Sequence, residues 1–403
     1  MFYTLLYRLV GLLLLLLTGI NVYGQQPVLY VYDFETGTLD SLNVNYDSTL
    51  ESGFTSYNIG RFDTNVLTLP QTPPTAHLYA NTAFTRKVRA ADKFNLSGFP
   101  VRTTTKIFSV QNDSLKHNCS GSLISRKHVL TAAHCALQIN TNSLSHNALY
   151  VCPVFNNGTQ HPDFECSYVQ KVYFIKGWSI NGEDIAILEL DDSIGEQTGW
   201  IGVGYEKNDS LLTDGIFYKF SYPGSYFPQF DSTHYNGDTL YFNYGIADYV
   251  VPKTIGINGT SGIPGESGSS LIKVENNHHY ISYGTLTYST NLQHSRINNW
   301  QFNALKSIIQ NDTVLSTPTN NATPSISVYP NPTHEAIYFK NISPNQLLNI
   351  TLYDNTGRIV LQKENHSPTN SISLSSLPAG IYLLNLENNH FSQTRKVVKT
   401  SYY

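Results

Sequence analysis

Three residues in this chain are of kinds that can make one another reactive. His134 closes the run Thr131-Ala132-Ala133-His134-Cys135, Asp184 ends Asn181-Gly182-Glu183-Asp184, and Ser267 lies in Gly262-Ile263-Pro264-Gly265-Glu266-Ser267-Gly268. A serine hydroxyl is a poor nucleophile at neutral pH until a neighbouring base takes its proton. An imidazole can be that base, and a carboxylate then fixes its tautomer and stabilises its charged form. The chain supplies one of each, in the order His, Asp, Ser. The glycine-rich turn around Ser267 adds a further ingredient. Such a turn can expose a hydroxyl and aim successive backbone N–H groups at one point, the geometry that stabilises a tetrahedral oxyanion. Taken singly, the three also read as a packed histidine, a capping aspartate and a turn serine.

Groups of this kind work only when rigid elements hold them. Cys119-Ser120-Gly121-Ser122-Leu123-Ile124 reads as a buried strand and His128-Val129-Leu130-Thr131 as the next, so the imidazole stands at the end of a hairpin. Ile185-Ala186-Ile187-Leu188 places Asp184 at the lip of an apolar strand, and another apolar strand follows Ser267. Cys119, Cys135, Cys152 and Cys166 are an even set. In an exported chain that suggests two disulfides, with three connectivities open. Sequential pairing, Cys119–Cys135 and Cys152–Cys166, is the simplest. Each bond then closes a loop of about 15 residues, worth roughly 3 kcal/mol in the chain-entropy account. The absence of any Cys-x-x-Cys pair argues against zinc. His161 and the pair His278-His279 read as loop residues, and neither a metal nor a cofactor is expected.

The 403 residues are 40% apolar and only 13% charged, with a net charge of −4. No basic stripe is present, which argues against binding to a nucleic-acid backbone. The apolar content excludes disorder over the whole chain. The 28 tyrosines and single methionine fit extracellular β-structure better than a helical bundle. Arg8 followed by an apolar run through Leu17 and small residues up to Gly24 reads as a secretory signal peptide over 1–24. That run falls short of the ~20 residues needed to span a bilayer, and no later stretch reaches it, so no transmembrane segment is expected in the mature chain.

Residues 25–96 alternate short apolar runs with turns and end in the basic cluster Arg86-Lys87-Val88-Arg89, a candidate propeptide with an accessible cleavage site. Residues 97–312 carry short strands and Gly/Asn turns, then a helical pattern at Trp300, Phe302, Leu305, Ile308 and Ile309. Residues 313–324 read as a linker, since Ser316 to Pro324 are all small, polar or proline, and 325–403 has the strand and turn pattern of a small β-sandwich.

The segment Cys119 to Cys135 resembles the histidine motif of trypsin-like, chymotrypsin-fold serine proteases, including its cysteine pair. Glu183-Asp184-Ile185-Ala186-Ile187-Leu188 resembles the family's aspartate motif, and Gly265-Glu266-Ser267-Gly268-Ser269-Ser270 its serine motif. The resemblance covers about 97–312. It implies an all-β fold of two six-stranded antiparallel barrels with a C-terminal helix. His134 is then the general base, Asp184 the orienting carboxylate, Ser267 the nucleophile, and the N–H groups of Gly265 and Ser267 the oxyanion hole. Gly284 to Ser289 resembles the substrate-binding strand. The family's aspartate before the nucleophile is Glu266 here. In zymogens of the family that aspartate pairs with a newly cut N-terminus, which the longer glutamate would have to reach.

Tyr329-Pro330-Asn331-Pro332, Leu377-Pro378-Ala379-Gly380-Ile381-Tyr382 and Lys396-Val397-Val398-Lys399 resemble a type IX secretion C-terminal sorting domain of Bacteroidetes-type bacteria. The resemblance implies the type IX secretion machinery as partner. It also implies passage across the outer membrane after export by the signal peptide, to a secreted or surface-attached location. The reading is a secreted serine endopeptidase acting on protein or peptide substrates. Its rival is a catalytically weak surface-binding protein on the same fold, disfavoured because all three reactive residues are present.

The resemblance also assigns a primary pocket from Ser261, Thr287 and Ser289. Ser261 at the floor is neutral and gives Arg or Lys no partner, and Leu286 offers a buried carboxylate no cation. A neutral, mainly apolar P1 side chain is therefore expected, preferred over charged ones by about a few kcal/mol. Profiling with a mixed peptide library should show cleavage after such residues, and dominant cleavage after Glu, Arg or Lys would refute the assignment.

Overall fold

The computed structural model describes residues 27–44, 46, 55–61, 65–74, 84–111, 114–139, 143–227, 231–258, 261–276, 279–288, 292–314, 326–340, 342–344, 346–388 and 391–400. The expected signal segment 1–24 and most of the expected linker lie outside them. Four strands precede the motif-bearing region: β1 (Leu29–Asp33), β2 (Leu39–Leu42), β3 (Thr55–Arg61) and β4 (Val88–Arg89). All four join the sheets that follow.

The first of these is a barrel of β5 (Thr104–Gln111), β6 (Ser114–Leu123), β7 (His128–Thr131), β8 (Leu149–Pro153), β9 (Ser167–Ile175) and β10 (Ala186–Leu190). Its ladder runs β10-β7-β6-β5-β8-β9, and β10 closes it by pairing with β9 as well. β10 has the sequence Ala-Ile-Leu-Glu-Leu and is buried throughout. A strand covered on both faces reads as an apolar run rather than an alternation, and the one charged residue of β10, Glu189, is paired with Lys127 and Lys171. β1 pairs with β9 over Leu29↔Ile175 to Asp33↔Lys171, and β2 pairs with β1.

The second unit contains β11 (Trp200–Tyr205), β12 (Phe217–Ser221), β13 (Tyr226–Phe227), β14 (Asp231–His234) and β15 (Tyr241–Gly245). It continues with β16 (Tyr249–Val251), β17 (Thr254–Gly256), β18 (Ser270–Glu275), β19 (His279–Tyr288) and β20 (Gln293–Arg296). β13 and β14 form a separate hairpin, while the main ladder runs β16-β17-β20-β19-β18-β12-β15-β4. β11 pairs with β19, and β3 with β11. Where a second six-stranded barrel is expected, this ladder stays open among the described residues, a half-barrel. Strands of the preceding segment occupy two of its edges, β4 against β15 and β3 against β11.

Side chains of both units meet in one apolar core containing Leu130, Ile187, Phe220 and Ile272, closed by Trp300, Phe302 and Leu305 of the helix Asn299–Val314. The helix follows the predicted pattern and runs two residues into the expected linker. Leu29, Leu69 and Ala90 of the N-terminal segment are buried in that same core, and Phe84 in the core of the half-barrel. Withdrawing the segment would therefore expose apolar surface in both places.

Seven strands follow: β21 (Ser327–Tyr329), β22 (Ala336–Lys340), β23 (Leu348–Tyr353), β24 (Ile359–His366), β25 (Ile372–Ser373), β26 (Gly380–Asn388) and β27 (Phe391–Lys399). They form a three-stranded and a four-stranded sheet around one core, the expected sandwich. Here strands alternate, since only one face is covered. In β26 Tyr382, Leu384 and Leu386 are buried while Ile381 and Leu383 are exposed.

Cys119–Cys135 and Cys152–Cys166 are both formed. The first ties β6 to the turn after β7 across 16 residues of chain. Replacing Cys119 and Cys135 together by serine should lower unfolding stability by about 3 kcal/mol. Urea unfolding followed by tryptophan fluorescence measures this, and an unchanged midpoint would mean that the bond constrains nothing.

Candidate active site

β7 ends at Thr131, and the chain tightens into the single turn Ala133–Cys135, with Ala133 and Cys135 buried and His134 at its lip. The small side chains of Ala132 and Ala133 let this turn pack directly on the barrel. β10 pairs with β7 in the register Ala186↔Thr131. Carried two residues beyond the ladder, that register sets Asp184 opposite Ala133, one residue from the imidazole. The ladder thus brings together two residues fifty positions apart.

The contact they make has two points. The His134 backbone N–H donates to Asp184 Oδ1 at 2.9 Å, and His134 Nδ1 to Oδ2 at 2.6 Å. A carboxylate only accepts, so Nδ1 carries the proton and Nε2 is left as the basic nitrogen. The Asp184 side chain is 4% exposed against 27% for His134, so the carboxylate is enclosed while the imidazole reaches solvent. The backbone of Asp184 is held as well. Its N–H donates to Ser295 Oγ (3.2 Å), and its carbonyl accepts long bonds from Thr285 and Thr287 Oγ1 (3.4 and 3.5 Å). Thr287 Oγ1 and Ser295 Oγ are joined at 2.8 Å. Thr287, assigned to the substrate pocket, thus also holds the aspartate.

The Ser267 loop is wedged against the first barrel. Gly265 and Gly268 have φ of 92° and 79°, where a side chain would be strained. A Cβ on Gly268 would also run into Thr131 Oγ1 and the Ser120 carbonyl, and one on Gly265 into His117 and the Tyr222 carbonyl. Ser120 in β6 clamps the loop twice: its N–H donates to the Ser267 carbonyl (2.8 Å) and its hydroxyl to the Gly265 carbonyl (2.7 Å). The Pro264 carbonyl accepts from Gly224 N–H (2.7 Å), and the Glu266 carbonyl from Ser269 N–H (3.0 Å). In a trans peptide the N–H points opposite to the carbonyl of the preceding residue. The N–H groups of Gly265 and Ser267 therefore face away from those partners. Neither has an acceptor among the described residues. Ser267 Oγ makes no hydrogen bond to His134 among the described residues either.

Glu266 points the other way, into the protein, and is fully buried. Lys219 Nζ and Ser221 Oγ (2.8 Å) donate to its Oε1, while Ile263 N–H (2.7 Å) and Lys87 Nζ (3.4 Å) meet Oε2. Burial alone would push this carboxyl up, but Lys219 and Lys87 outweigh it and hold the group at about 2. The partners of Glu266 are thus internal lysines. Behind Gly265, Lys106 donates to His117 Nδ1 (2.9 Å) and Asp238 Oδ1 (2.7 Å). Burial and the Lys106 charge bring the His117 imidazole down to about 4, so it packs in the neutral form.

Ser261 is half-buried, Thr287 is placed as described, and Ser289 lies outside the described residues. His161 Nε2 is within 3.2 Å of Ser97 Oγ, and the ring stacks on Phe164. His134 also lies close to the Cys119 and Cys135 sulfurs, but these are bonded to each other and offer no thiolate. Ser120, Ser221, Lys87 and Lys219 escape a reading based on motifs. For Lys219 a signal exists, a lysine in the middle of the apolar strand Phe-Tyr-Lys-Phe-Ser. A charge in such a strand needs a buried counter-charge.

No helix among the described residues is long and apolar enough to cross a membrane. Residues 97–219 match the family model for trypsin, a span that contains His134 and Asp184 and ends before Ser267. Residues 327–400 match the secretion system C-terminal sorting domain. With a closed barrel, a half-barrel and a terminal helix ahead of a β-sandwich, the chain carries a trypsin-family domain followed by a C-terminal type IX sorting domain.

Proposed function

We propose that this protein is an exported serine endopeptidase in which Ser267 is the nucleophile, His134 the general base and Asp184 the residue that orients it. The observation that carries the reading is the two-point contact between His134 and Asp184, which leaves Nε2 as the free base at the solvent edge. In the first step Nε2 takes the Ser267 proton as Oγ bonds to the carbonyl carbon of the scissile peptide. The carbonyl oxygen becomes an oxyanion that accepts from the N–H groups of Gly265 and Ser267. The C–N bond then breaks, the amine leaves with the proton from His134, and an acyl-enzyme remains. Water repeats the sequence, giving its proton to His134, and the acid and free Ser267 are released. Asp184 stays ionised and stabilises the imidazolium in both halves. The P1 residue is neutral or apolar, and the sorting domain delivers the enzyme across the outer membrane, for release or surface attachment.

Ser267→Ala removes the nucleophile from a half-buried position and leaves the Ser120 clamp on the backbone intact. Peptidase activity should fall by about 10⁴-fold or more, with circular dichroism and secretion unchanged. Activity retained above that level in a folded variant would defeat the assignment of Ser267.

A further inference from the structure

Glu266 lies between the two residues whose N–H groups have no acceptor among the described residues, so wherever its side chain is anchored, Gly265 and Ser267 must follow. The anchor is internal. Lys219 comes from the middle of β12, and its side chain is fully buried. Lys87 comes from the N-terminal segment, immediately before β4, with its side chain 1% exposed. A buried carboxylate that lost such partners would be left uncompensated, and would either take up a proton or swing toward water, in both cases losing the contacts that hold it. The loop would move with it. Lys87 cannot drift away on its own, because Phe84 is fully buried in the half-barrel core, Ala90 is buried in the shared core, and β4 is hydrogen-bonded to β15.

We infer that Lys219 and Lys87 are positioning residues that lock Glu266, and through it the Gly265–Ser267 loop, so that the protease works with residues 84–89 in place. The inference rests on the peptidase reading above. It runs against maturation by a cut after Arg89, which would release the segment that carries Lys87.

The test uses the full chain and a phosphonylating serine probe. Lys219→Met should slow phosphonylation of Ser267 and lower kcat on a peptide substrate by about 100-fold, and Lys87→Met by about 10-fold. KM should stay within about 3-fold in both, because the substrate pocket is untouched. Lys87→Arg, which keeps the charge, should recover most of the rate. A purely stabilising role would lower the melting temperature and leave the kcat of the folded variants alone. Both Met variants folding and reacting at the unsubstituted rate would overturn the inference. N-terminal sequencing of the phosphonylated unsubstituted protein tests the segment without requiring any variant to fold. A start before Lys87 supports the inference, and a labelled population starting beyond it overturns the role of the segment. If the unsubstituted protein is itself not labelled at Ser267, the peptidase reading falls first.

Discussion

A carboxylate removed from water must be met by donors and cations, and Glu266 imposes that requirement on everything around it. Its two oxygens take Lys219, Ser221, the Ile263 N–H and Lys87, drawn from β12, the serine loop itself and the segment ahead of the first barrel. Satisfying it fixes the position of Lys87 and of the segment that carries it. It also sets the backbone of the two residues on either side, Gly265 and Ser267. The same loop is held from the opposite side by Ser120, so it is fixed between the two units rather than belonging to either.

The other half of the site depends on a ladder. Antiparallel pairing of β7 with β10 decides that Asp184 meets the turn after Thr131, and no local feature of either segment could do so alone. The Cys119–Cys135 bond, the small residues before His134 and the threonine and serine hydroxyls around Asp184 keep that meeting in one geometry. An imidazole held at both Nδ1 and its backbone N–H has little rotational freedom. Preorganisation of this kind makes electrostatic stabilisation effective without reorganisation during the reaction.

Much of this was legible in the residues. The run from Cys119 to Cys135, the aspartate before an apolar strand and the glycine-flanked serine each carry local chemistry, and helical spacing located Asn299–Val314 within a few residues. The disulfide pairing followed from proximity along the chain. What was hidden is non-local. No periodicity indicates that β3 and β4 would occupy edges of the half-barrel, because edge pairing depends on which strands the folded units leave open. Lys87 reads as one member of a surface basic cluster with Arg86 and Arg89, yet it is buried while both arginines are exposed. Its partner stands 179 positions away in the numbering and becomes visible only once both units are folded. Thr287 shows the reverse case, a residue placed by resemblance in a pocket whose hydroxyl also serves the aspartate.

The most direct measurement is active-site labelling of the full-length protein with a phosphonylating serine reagent, followed by intact mass and peptide mapping. A single adduct on Ser267, lost when His134 is changed to alanine or when the protein is unfolded, is the predicted result. A folded protein that takes no adduct, or takes it on another residue, would contradict the account.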